Sequence, residues 1–161
     1  MTEDAPSGAR DGAVLSEALK AIRKDRGLTP RQTAGAMHIA LRTYQRFEAG
    51  ETKVNLDHIY RFAQATRSDP HAIFMAISIA SPRHALRGSE NLIDTILTIG
   101  VKELDDILGD RIRDLDQRTI VTAVTTLVDT LAAGLDRTDP TQRWLEDGAQ
   151  ELAARRPKPG R

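Results

Sequence analysis

"TPRQTAGAMHIALRTYQRFEAG", residues 29–50, decides the fold. Thr29 followed by Pro30 has the form of a helix N-cap with proline in the first turn, where its missing N–H does no harm. Ala34 and Met37 supply the inward face of that helix, and "MHIA" separates it from a second one running from about Leu41 to Glu48. Tyr44 and Phe47, three apart, face inward on this second helix and turn Arg42, Gln45 and Arg46 outward along one strip. Gly50 stops it.

The same periodicity extends to both sides. Val14, Leu15, Ala18, Leu19 and Ile22 recur at helical spacing, and Gly27 is placed to end that helix. Asn55 caps a further helix with Leu56, Ile59, Tyr60, Phe62 and Ala63 as its apolar face. Asp69-Pro70 opens the next, through Ile73, Phe74 and Ile77. No alternating run bounded by turn residues is present, so strands are not expected. Five short helices over residues 13–80, two of them joined by a tight connection, are the layout of a helix-turn-helix domain.

The chain has 161 residues, 40% hydrophobic and only 4% aromatic, enough for one domain with an appendage. It has no cysteine, which excludes disulfides and thiolate metal sites and fits a reducing compartment. Residues 1–12 lack the apolar run of a signal peptide and read as a disordered tail. No stretch approaches the roughly 18 consecutive apolar residues of a membrane span, so a cytoplasmic location without a membrane partner is expected. The zero net charge hides a division. Ala13 to Arg67 holds ten Lys or Arg against five Asp or Glu, whereas Gly88 to Ala154 holds six against fourteen. A basic half suits a polyanion, and an acidic half avoids one.

"IRKDRGLTPRQTAGAMHIALRTYQRFEAGETKVNLDHIYRFAQAT" resembles the DNA-binding domain of phage-repressor or Cro-like (XRE-type) regulators. The matching features are Arg-x-x-x-Gly-Leu-Thr at 23–29, Ala34, Met37, Ile39 and Phe-Glu-x-Gly at 47–50, followed by Leu56-x-x-Ile59-x-x-Phe62-Ala63. The resemblance covers residues 14 to about 77 and implies a helix inserted into the major groove, with the preceding helix aimed at a phosphate. Arginine bonds guanine bidentately and glutamine bonds adenine, so Arg42, Gln45 and Arg46 suit base reading. Leu41, able to meet a thymine methyl, and Thr43 stand with them at the helix start. By resemblance, Thr29, Arg31 and Lys53 hold phosphates. A solvated basic face is the plainer alternative for the strip.

Two positions depart from the family pattern. His38 stands where glycine is usual, so a histidine is expected at φ > 0 or the turn differs. Thr33 stands where a larger aliphatic is usual, leaving the core beneath thinner or filled by Tyr44. The resemblance also implies that Glu48 pairs with Arg23 on the first helix; a surface glutamate is the alternative.

"SPRHALRG" reads as a linker at 81–88, with Pro82 and Gly88 interrupting periodicity. Residues 89–154 read as an α-helical oligomerisation or partner region. One helix is expected from about Glu90 to Leu108 and another from about Arg111 to Leu135. Val121, Val124, Val128, Leu131 and Leu135 follow the 3-4 spacing of a helix-packing seam. With a short helix around Trp144 and Leu145 they bury little alone, so a second copy of the chain is the expected partner, and folding back onto the first domain is the alternative. The acidic residues Asp105, Asp106, Asp110, Asp114 and Asp116 avoid DNA and suit a basic protein partner. "RRPKPGR", residues 155–161, reads as a basic disordered tail.

Enzymatic signatures are sparse. His38, His58, His71 and His84 show no i, i+4 metal pair, and there is no glycine-rich phosphate loop or nucleophile elbow. Self-cleaving repressors use a serine and lysine on a strand-rich second domain, unlike this helical half with Lys102 its one lysine before the tail. The expectation is an all-α, sequence-specific double-stranded DNA-binding regulator. It is expected to act as a repressor and a homodimer on inverted-repeat sites, with no catalytic role, metal or cofactor. The alternative is a protein-interaction module, antitoxin-like or bound to the transcription machinery, holding its partner through the C-terminal helices.

Overall fold

A computed structural model describes residues 7–135, 144 and 147–151. The chain divides into two compact units, Met1–Gly109 and Asp110–Arg161. Every regular element among the described residues is helical. The first unit contains α1 (Ser7–Asp25), α2 (Pro30–Ala36), α3 (Leu41–Glu48), α4 (Leu56–Thr66), α5 (Pro70–Ser78), α6 (Pro82–Asn91) and α7 (Ile93–Leu108). A 3₁₀ stretch, Gly109–Asp114, precedes α8 (Gln117–Leu135).

Local chemistry sets the element ends. Thr29 and Gln32 form a reciprocal capping box at the start of α2, with Pro30 in the first turn. Asn55 accepts from the His58 amide at the start of α4, and Asp69 from the His71 amide at the start of α5. His38 adopts φ 56° in the α2–α3 turn, the left-handed conformation for which glycine is the usual solution. Gly27 and Gly50 adopt φ 64° and 72° at the ends of α1 and α3.

The core of this unit is built from Leu15, Leu19 and Ile22 of α1, Tyr44 and Phe47 of α3, Ile59 and Phe62 of α4, and Ile73 of α5. The rings of Tyr44, Phe47 and Phe62 meet edge to face, at centroid distances of 6.5 and 6.3 Å. Thr33 is completely buried, and its hydroxyl donates to the Thr29 carbonyl, so no polar atom is left unmet where an aliphatic was expected. Leu56 and Tyr60 differ from expectation. They are exposed, the inward face of α4 being Ile59, Phe62, Ala63 and Thr66, and Tyr60 packs instead against the rings of His71 and Phe74.

Four boundaries differ as well. Helix α1 starts at Ser7, within the segment read as a tail. Residues 81–88, read as a linker, form most of α6. Pro82 occupies its first turn, where proline is tolerated, and Gly88 makes room for a neighbour: a Cβ there would lie 3.0 Å from the Ala72 Cβ of α5. The helix expected from about Glu90 begins at Ile93, because Leu92 turns left-handed at φ 58° between α6 and α7. The helix expected from about Arg111 begins at Gln117, after the 3₁₀ stretch. The tail readings of residues 1–6 and 155–161, and Leu145 of the short terminal helix, lie outside the described residues.

Helix α7 is held to its unit at its first turns, and from Thr98 to Ile107 both its polar and its apolar side chains are exposed. Its inward contacts are polar: the Thr95 amide and hydroxyl donate to Asp69 at 3.1 and 2.8 Å, and His84 Nε2 lies 2.9 Å from the Asp94 carboxylate. Its apolar side chains Ile96, Leu104 and Ile107 are exposed.

In the second unit every described side chain of α8 is exposed. By length and composition α8 is apolar enough to cross a membrane, with a mean hydropathy of 1.2. Its large apolar residues nevertheless occupy one arc of about 120°, with Arg118 and Asp129 on the opposite pole, the pattern of an amphipathic helix.

Candidate nucleic-acid interface

The candidate surface is built on α3, and α3 is fixed from behind. Tyr44 and Phe47 are completely buried, so the helix cannot rotate about its axis without exposing two rings. Glu48, on the same inner side and only 6% exposed, accepts Arg23 Nε of α1 at 2.5 Å and Nη2 at 3.3 Å. Arg23 Nη1 donates to the Leu28 carbonyl at 3.0 Å, so one guanidinium joins α1, the α1–α2 turn and the end of α3. The Tyr44 hydroxyl donates to Glu48 Oε1 at 2.7 Å, one helical turn away.

The electrostatics follow from this arrangement. The hydrogen bond from Arg23 to Glu48 is the largest influence on Arg23 and raises its pKa above an already high value. Burial, and next the bond to Glu48, push the Tyr44 phenol well above its ordinary value, so it stays a donor throughout the physiological range. The buried carboxylate is therefore met by a cation and a neutral hydroxyl. The Tyr44 hydroxyl was overlooked in the sequence because the ring was assigned to the core; its signal was the i, i+4 spacing to Glu48.

With the inner side occupied, Arg42, Thr43, Gln45 and Arg46 all lie exposed on the outer side of α3. Leu41 is half-buried and rests against the core, presenting only an edge. Ala40 provides no side-chain cap, so the first amides of α3 open toward the same surface. A shallow depression of about 300 Å³ is lined by Ala40, Arg42, Thr43, Arg46 and Thr52. Arg46 Nε is 3.8 Å from Glu51 Oε2 with both side chains about 60% exposed, too long and too wet to immobilise the arginine.

Thr29 and Arg31 are exposed at the start of α2, and Lys53 in the loop after α3. The structure thus places the base-reading candidates on one outer strip of α3 and the phosphate candidates at the start of α2 and in the loop after α3. Val121, Val124, Val128, Leu131 and Leu135 belong to the second unit, where they share the exposed arc of α8. Among the described residues no group of three or more His, Asp or Glu side chains is arranged to hold a metal.

Two short helices joined by a left-handed residue, the second braced inside and polar-basic outside, define a helix-turn-helix DNA-binding domain. Residues 19–73 match the family described as Helix-turn-helix, and this stretch is an XRE-family domain of the kind found in DNA-binding transcription regulators. No curated protein and no solved structure matches the chain.

Proposed function

We propose that the chain is a sequence-specific repressor that occupies inverted-repeat sites in double-stranded DNA as a homodimer and occludes a promoter, within the cytoplasm and nucleoid. The observation that carries this is the strip of Arg42, Gln45 and Arg46, exposed together on a helix whose other side is held by Tyr44, Phe47 and the Arg23–Glu48 pair. Arg42 and Arg46 are suited to guanine, Gln45 to adenine, and the edge of Leu41 to a thymine methyl, with Thr43 beside them. Thr29, Arg31 and Lys53 set the register by contacting phosphates. The α8 arc of Val121, Val124, Val128, Leu131 and Leu135 serves self-association. Catalysis and cofactors have no part in this role.

Genome-wide mapping of bound sites followed by footprinting tests it. Protection of two inverted half-sites, with affinity falling steeply as salt rises, is the expected result. Equal affinity for every duplex would remove the sequence-reading role. The exposed α8 arc also favours a second reading, in which the C-terminal helices hold a different protein. A stable hetero-complex recovered at the expense of homodimer would select it.

A further inference from the structure

Helix α7 presents an apolar face that the described residues of its own unit leave exposed except at Ile93, which is half-buried, and that face has an internal symmetry. Ile93, Ile96, Gly100, Leu104 and Ile107 are spaced 3-4-4-3 along the helix, a palindrome centred on Gly100. At about 100° per residue all five fall within an arc of about 80°. Ile96 and Ile107 are 59% and 75% exposed.

Gly100 occupies the middle of a 16-residue helix, where glycine is a poor former. Nothing lies within 4 Å of a Cβ built there, so no contact among the described residues accounts for the missing side chain. A small residue at the centre of an apolar stripe is what a close helix crossing requires, because it lets two backbones approach.

We infer that α7 packs antiparallel against α7 of a second copy, with the two-fold axis at Gly100. An isologous contact pairs residue i with j and j with i, so the palindrome brings Ile96 against the partner's Leu104 and Ile93 against the partner's Ile107. Charge selects this direction over the parallel one. After Gly100, Glu103, Asp105 and Asp106 outnumber the one cation, Lys102, which pairs with Asp106, while the acidic residue before Gly100 in the helix, Asp94, is buried against His84. Antiparallel crossing sets each acidic half beside the positive end of the partner's helix, whereas a parallel pair would stack the two acidic halves.

This interface rests on the homodimer proposed above and adds to it a surface distinct from the α8 arc. Sedimentation equilibrium of the full chain tests it, with thermal melting and binding to a single half-site followed in parallel. Gly100→Leu is expected to weaken dimerisation at least tenfold while leaving the domain folded and half-site binding unchanged. Gly100→Ala is expected to raise the melting temperature, since alanine favours the helix and meets open space, and yet to weaken the dimer. Unchanged dimerisation in both variants overturns the α7 interface; if Leu131→Glu then dissociates the chain, α8 alone holds the dimer and the repressor role stands. A wild-type chain that stays monomeric overturns both interfaces and leaves base reading by α3 intact.

Discussion

Gly12 and Gly50 meet backbone to backbone: a Cβ on Gly12 would lie 2.6 Å from the Gly50 carbonyl oxygen, closer than real side chains approach. The contact joins the first turns of α1 to the residue that ends α3, so it sets the seat of the reading helix as well as the packing of the domain.

Gly12→Ala therefore must move main chain, and a loss of about 1–3 kcal/mol in urea unfolding is expected. Gly50→Ala should cost more, because the same crowding is joined by φ 72°, a conformation that penalises any Cβ. Gly35→Ala has the opposite sign. Gly35 lies within α2 with open space around it, so alanine should stabilise by about 0.5–1 kcal/mol. Equal effects at all three positions would show that close approach is not what selects glycine at 12 and 50.

Glu48→Gln strands the Arg23 guanidinium against the core. With side chains only 12% and 9% exposed, the pair falls in the buried class, and breaking it should cost about 3–5 kcal/mol. Tyr44→Phe leaves the ion pair in place and removes one neutral donor, for about 1 kcal/mol. Unfolding midpoints that rank the two variants the other way would assign the bracing to the hydroxyl.

Tyr44 also gives the domain an alkaline limit. Its folded-state pKa is raised, by burial first and Glu48 next. The unfolded chain thus releases the phenolic proton near pH 10 while the folded chain retains it. The contribution to stability is complete below that pH and declines as pH rises above it. Wild type should lose stability more steeply than Tyr44→Phe between about pH 9.5 and 11. Parallel curves would mean that Tyr44 does not titrate abnormally.

Residues 29–50 were legible because their signals are local. Thr29 and Pro30 start a helix whatever surrounds them, and the spacing of Tyr44 and Phe47 fixes which side of α3 faces out. The φ > 0 at residue 38 was expected from the resemblance, whose family has glycine there, with a different turn as the alternative, and His38 adopts φ 56°. The region from 81 to 108 was misread because its signals are tertiary. Pro82 and Gly88 look like helix breakers until Ala72 is seen to need the space at Gly88. The exposure of α7's apolar side was hidden too. Periodicity shows that a helix has an apolar side but not what covers it, and here Asp69 and His84 hold the first turn of α7 through polar contacts. Base-contacting roles sit between these cases: exposure of Arg42, Gln45 and Arg46 follows from the pattern, whereas their contacts depend on a duplex.

His38 is the place where local strain and the reading angle meet. At φ 56° it pays a left-handed penalty that glycine would not, so His38→Gly should leave the fold intact and change stability by under about 1 kcal/mol. His38→Val should cost more, since a β-branched residue is a true outlier there. Because this residue sets the angle between α2 and α3, DNA affinity should fall further for His38→Val than its loss of stability explains. Equal tolerance of glycine and valine in both unfolding and DNA titrations would place the hinge elsewhere.

The proposed function gives Arg42 a base to read and Lys53 a phosphate to hold, and two variants separate these roles. Arg42→Ala should cost about 1–3 kcal/mol and relax preference at one or two base pairs, because only the bidentate contact to guanine is lost. Lys53→Ala should weaken binding to all duplexes alike and lower the slope of log affinity against log salt by about 1, the signature of one phosphate contact removed. Titrations of both variants against a panel of single-base substitutions, each at several salt concentrations, distinguish the two. A uniform loss across the panel for Arg42→Ala would move it from the reading edge to the backbone contacts, and the specificity would then have to come from Gln45 and Arg46.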